Sequence, residues 1–83
     1  MEYLSLEVIT PVKTLYSAPI MSVTVPGASG SFTILQGHAA IISILTNGEV
    51  RCVGQDGVEH LYDCKSGVVE CKENKVVVLI ETK

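Results

Sequence analysis

Few side chains in this sequence could make or break a bond, and their spacing decides what they could do. His38 follows Gly37 in a glycine turn. An imidazole there could act as a general base, but base catalysis needs a nucleophile and an acid that orients it. No serine or cysteine with such an acid is fixed by spacing. His60 stands near Glu59, Asp63 and Cys64, which by type could hold a metal. Strand alternation sends His60 and Asp63 to opposite faces, and the spacing is not that of a ligand set. Cys52, Cys64 and Cys71 contain no C-x-x-C, which speaks against a zinc ribbon or a redox pair. They read as buried, reduced thiols serving as small hydrophobes, which suits a cytosolic compartment. No catalytic residue, cofactor site or metal site is expected. His38 reads as a hydrogen-bonding turn residue and His60 as a half-exposed strand residue.

The elements around these residues are strands. Leu4, Leu6 and Val8 alternate with Ser5 and Glu7, which lines three apolar side chains on one face. Pro11 ends that strand because it has no N–H to donate. Val12 to Tyr16 reads as a short edge strand, Ala18-Pro19 as a turn, and Met21, Val23 and Val25 as the apolar face of the next strand. Gly27 and Gly30 flank Ala28-Ser29, a tight turn into the alternating run Ser31 to Ile34. No G-K-[ST] follows, so this is not a phosphate loop. After Gly37-His38 the run Ala40 to Leu45 is apolar on both faces, which predicts a strand that is central or covered by a partner.

Asn47-Gly48 predicts a type I′ hairpin into Glu49 to Val53. Gln55-Asp56-Gly57 is a turn into the alternating run Val58 to Asp63. Lys65-Ser66-Gly67 leads into Val68 to Cys71, and Lys72-Glu73-Asn74 turns into the β-branched run Lys75 to Ile80. Strands at this spacing predict an antiparallel sandwich or barrel. The reading is all-β: about ten short strands in two sheets, as one domain over residues 1–83. No repeat, low-complexity stretch, linker or sustained helical period is present.

Composition bounds the partners. The chain has 83 residues, 47% of them hydrophobic, with no tryptophan and one phenylalanine, so its core is aliphatic. A net charge of −3 argues against nucleic acid and anionic lipid surfaces. No apolar run approaches the ~20 residues that span a bilayer, and no basic segment followed by an apolar stretch marks a signal peptide. Work at a membrane would need another protein to hold the chain there.

The stretch Gly27 to Leu45 resembles the G-x-x-G-x-x-x-I-x-P-G-H-A-P-L-L segment of the ε subunit of F-type ATP synthases. Gly27, Gly30, Ile34, Gly37, His38 and Ala39 stand at matching positions, and Ile41 and Ile42 replace the two leucines. Gln36 and Ala40 replace the prolines, and Thr33 stands where many members carry glycine. The resemblance runs over essentially the whole chain. It includes Leu4 to Pro11, the Thr46-Asn47-Gly48 turn and Ser66 to Glu70.

The resemblance implies a flattened β-sandwich in the central stalk of the rotary enzyme, packed on the γ subunit and on the polar loops of the c-ring. Such a subunit rotates with γ and helps couple proton flow to ATP synthesis, without bond-making of its own. Residue by residue, it implies a γ-facing set of Thr10, His38, Ala39, Ala40, Ile41, Ile42 and Ser43. It implies a c-ring-facing turn of Gly30, Ser31 and Phe32, with Ser31 where many members carry glutamate. It places the chain peripherally, on the cytoplasmic face of a bacterial inner membrane. Most members continue into a pair of helices that can block ATP hydrolysis or bind ATP. This chain ends in Glu81-Thr82-Lys83, so neither a helical arm nor bound nucleotide is expected. The alternative from another class is a stand-alone β-sandwich module that binds a small ligand or a protein, the latter by adding a peptide strand at an edge.

Overall fold

A computed structural model describes residues 3–82; Lys83 lies outside the described residues. Eight strands carry the chain: β1 (Leu4–Ile9), β2 (Thr14–Gly27), β3 (Gly30–Leu35), β4 (Ile41–Leu45), β5 (Gly48–Gly54), β6 (Glu59–Cys64), β7 (Ser66–Lys72) and β8 (Lys75–Glu81). They hydrogen-bond in the order β1-β8-β7-β4-β2-β5-β6, with β3 on β2 and β1 also on β2. Strand β2 therefore belongs to two layers. Its first half pairs with β1, extending the layer β4-β7-β8-β1, and its second half lies between β3 and β5, next to β6. The all-β sandwich expected from the alternation is present. The β1–β8 ladder is parallel and the other ladders are antiparallel.

The strand count differs from the expected ten at one informative place. Ala18-Pro19 is no turn, because β2 runs through it. Pro19 lies opposite Ser5, whose N–H instead bonds the Asn74 carbonyl at 2.9 Å on the other side of β1. Ser5 and Pro19 thus form a non-hydrogen-bonded pair, and the N–H that proline lacks would point away from β1. The β5 pairing begins only at Ile20, so no ladder bond is lost.

A second expectation fails at Asn47-Gly48. Strand β4 pairs with β7 and meets β2 only at Leu45, while β5 pairs with β2 and β6. Neither residue has positive φ. Gly48 is glycine for another reason: a Cβ there would come 2.9 Å from the Pro26 Cβ. The positive-φ pair is Glu73-Asn74, at 51° and 62°, which closes the β7–β8 hairpin. The Gly27/Gly30 turn is as expected: the two glycines face each other across the β2–β3 ladder, and Gly30 has φ 129°.

The alternating residues fill one core. Leu4, Leu6 and Val8 of β1 meet Ile20, Val23 and Val25 of β2, Ile34 of β3, Val50 and Cys52 of β5, and Val76, Val78 and Ile80 of β8. No described polar side chain is buried. At about 1.5–3 kcal/mol for each fully buried aliphatic side chain, this interior is the main source of stability.

Candidate functional site

The two outer faces of the sandwich differ in chemistry. On the β4-β7-β8-β1 layer, Ile44 lies opposite Val68, Val68 opposite Leu79, and Leu79 beside Ile9. This row is apolar across four strands. The next row is Ile42, Glu70, Val77 and Glu7. Ile42 is 71% exposed and Ile44 69%. A shallow groove at one end of the face is lined by Pro11, Ile44, Val68 and Leu79 with their neighbours. On the other layer, the outward row across β3, β2, β5 and β6 is Thr33, Thr24, Arg51 and Leu61. There the Thr24 and Thr33 hydroxyls bond at 2.8 Å, and Arg51 pairs with Glu59 at 3.5 Å. The first face is the more apolar of the two, although the second also exposes Leu35 and Leu61.

The residues nominated from the sequence are spread along β4 rather than gathered in a pocket. Ile42 points outward, whereas Ile41 and Ser43 are half-buried on the opposite face of β4. His38 and the exposed Ala39 and Ala40 precede β4. The His38 Nδ1 lies 2.7 Å from the Ala39 carbonyl, and its N–H donates to the Leu35 carbonyl. The Gly37 N–H donates to the Asn74 side-chain oxygen at 2.7 Å, tying this loop to the β7–β8 turn.

Thr10 sits at the other end of the same layer. Its N–H donates to the Lys13 carbonyl, and its hydroxyl oxygen accepts the N–H of Lys13, closing the β1–β2 turn. Three strand spacings and about four residues of rise separate it from Ile41 at the His38 end, about 14 Å across and about 13 Å along. Gly30, Ser31 and Phe32 begin β3 beside the Leu45 end of β4, since Gly27 pairs with Leu45 and the Ala28 N–H donates to the Ile44 carbonyl. Gly30 and Ser31 are exposed, while the Phe32 ring packs on the core. Strand β4 therefore has His38 before one end and the Gly30 turn beside the other.

The sequence comparison decides what this sandwich is. The family described as "ATP synthase, Delta/Epsilon chain, beta-sandwich domain" matches residues 3–83. The chain belongs to that family. The ATP synthase epsilon chain of Chlorobaculum tepidum is 36% identical over 77 residues, covering 93% of this chain and 88% of that one. That of Campylobacter fetus is 36% identical over 81 residues, covering 98% of this chain and 63% of that one. A Euglena gracilis mitochondrial ATP synthase structure (OSCP/F1/c-ring) superposes with a TM-score of 0.87 over 94% of this chain and 50% of that chain, at 16% identity. The central stalk/c-ring structure from Tetrahymena thermophila gives 0.76 over 95% and 63%, at 15% identity. At those identities the likeness is one of fold.

Within this delta/epsilon sandwich the polar clusters resolve into packing. His60 lies half-buried with its ring 5.0 Å from that of Tyr16, while Asp63 is on the exposed face. Cys52, Cys64 and Cys71 are free and buried, and burial pushes all three thiols up. Burial also raises the Tyr16 hydroxyl, with smaller contributions from Cys52, Asp56 and Tyr62. Thiols held neutral are poor nucleophiles and poor ligands. Sequence reasoning missed Ile9, Val68, Val77 and Leu79 on the outer face. For Val77 and Leu79 the signal was the run Val76 to Ile80, which is apolar at both parities although a strand with one face to solvent needs only one apolar face.

Proposed function

We propose that this chain is a central-stalk subunit of a rotary F-type ATP synthase that couples γ to the c-ring during proton-driven ATP synthesis. The observation that carries the reading is the exposed apolar row Ile44, Val68, Leu79 and Ile9, with Ile42 beside it, on a domain whose core is already filled. Membership of the delta/epsilon family supports γ as the occupant of that face. The footprint runs along β4 from His38, Ala39 and Ala40 through Ile42, with Thr10 at its far margin. Ile41 and Ser43 support β4 from its inner side. The exposed Gly30-Ser31 corner, held by Phe32, meets the c-ring.

The chain's contribution is mechanical. Two layers locked by long ladders make a rigid spacer, and the outer face supplies contact area. A standard interface takes about 800 Å² from each partner. That is a modest share of the 5009 Å² this domain exposes, so one face suffices. The subunit performs no chemistry and binds no nucleotide or metal, and it is held at the cytoplasmic side of the membrane by its partners. No helix among the described residues is long and apolar enough to cross a membrane.

The test is reconstitution with the cognate γ subunit and c-ring. Stable co-elution with γ, with proton pumping lost when the chain is omitted, is the expected result. Failure to bind γ would overturn the reading.

A further inference from the structure

Charge is segregated along this chain. From Thr14 to Gly48 there is no Asp, Glu, Lys or Arg, and all six basic and nine acidic residues lie outside that run. Tyr16 and His38 are its ionisable side chains. The run comprises β2, β3, β4 and their loops. Strands β3 and β4 are adjacent in sequence, and each has an open side. Strand β3 pairs only with β2, and β4 pairs with β7 and touches β2 at Leu45.

Strand β4 and the loop before it expose Gln36, Ala39, Ala40, Ile42 and Ile44, all neutral, while the neutral Ser31, Thr33 and Leu35 of β3 face outward on the other layer. The Ile44 carbonyl accepts the Ala28 N–H, so the backbone groups of Ile44 point away from β7. By the two-residue period those of Ile42 do too, and on that side β4 meets β2 only at its Leu45 end, so no described ladder lies opposite Ile42. Edge strands are ordinarily blunted by charge, proline or cover. Here the edge residues of β3 and β4 include neither charge nor proline. The nearest charges are at the rim, where Glu70 faces Ile42 across the ladder and Lys72, Glu73 and Lys75 cluster around the β7–β8 turn.

We infer that the γ contact along β4 and the loop before it is made without ion pairs, against a γ surface that is itself uncharged and offers apolar side chains and extended backbone. The inference rests on the functional reading above and specifies its chemistry. A charged γ group set against β4 would lose its hydration and find no counter-charge on β4 or the loop before it, so any ion pair would have to reach the rim at Glu70. An extended neutral segment matches this edge. It can cover Ile42 and Ile44 and pair with the open backbone of Ile42.

The experiment measures the affinity of this chain for its cognate γ subunit between about 50 mM and about 500 mM KCl, a range over which the screening length falls severalfold. The expected change is less than about twofold, and sodium sulfate should tighten binding because it favours apolar burial. The triple rim variant Glu70→Gln, Lys72→Gln, Lys75→Gln, all exposed positions, should bind within about twofold of the parent. A tenfold or greater loss of affinity across the salt range, or a comparable loss in the rim variant, would overturn the inference while leaving the stalk assignment intact. Absence of γ binding at every salt concentration would overturn both.

Discussion

Replacing Ile42 with aspartate separates docking from folding at a single position. Ile42 is 71% exposed, and its side chain adds little to the core. The fold should therefore lose only the strand preference of a β-branched residue, on a scale that spans ~1 kcal/mol. Part of that loss comes from Glu70, directly across the ladder, whose carboxylate would face the new one. In the complex the balance changes. The same carboxylate would be covered by γ with no counter-charge on β3 or β4, and an uncompensated charge at a buried contact costs about 3–5 kcal/mol. At 1.4 kcal/mol per tenfold, affinity should fall by about two to three and a half decades.

Two measurements on one protein check this. Urea unfolding should move by about 1 kcal/mol or less, and a γ titration should show near-complete loss of binding at concentrations that saturate the parent. An unchanged affinity would refute the placement of γ on this face. Unfolding of the isolated domain would refute the assignment of Ile42 as a surface residue.

Four further outcomes follow from the backbone and the thiols. Gly67→Ala should destabilise by about 3 kcal/mol or more in urea unfolding, because the new Cβ would clash with the Leu79 carbonyl oxygen, a backbone atom that cannot step aside. Asn74→Ala should cost about 1–2 kcal/mol, since Asn74 has φ 62° and its side chain accepts the Gly37 N–H. Asn47→Ala, outside any positive-φ turn, should move the same midpoint by no more than about 0.5 kcal/mol. The three cysteines give a pH dependence. Their folded-state values are raised by burial, so the unfolded chain releases its thiol protons first as pH rises. Their contribution is fully present below about pH 8.5 and declines above it, and urea midpoints at neutral and alkaline pH should show that fall.

What the sequence determined by itself was the local grammar. Leu4, Leu6 and Val8 alternate, and all three are buried. Gly27 and Gly30 close a two-residue loop because that loop needs residues tolerant of close approach and positive φ, which are properties of the residues themselves. The three cysteines were legible as reduced thiols because they form no C-x-x-C pair and no ligand spacing. Membership of the ε pattern was legible from motif and register together.

Tertiary structure decided which strands pair and which faces stay open. Asn47-Gly48 is a hairpin signal only if β4 and β5 are neighbours. β7 offers β4 five paired residues instead, and Gly48 is needed to let the chain pass Pro26. Pro19 can sit inside β2 because Ser5 turns its N–H the other way, a fact held in a contact with Asn74, distant in sequence. Thr10 and His38 share a sheet but lie at opposite ends of it, since the parallel β1–β8 ladder fixes where β1 stops. The apolar row Ile44, Val68, Leu79 and Ile9 draws one residue from each of four strands. Side-chain periodicity shows that each could face outward; only the order β4-β7-β8-β1 puts them side by side on a face that the domain itself does not cover.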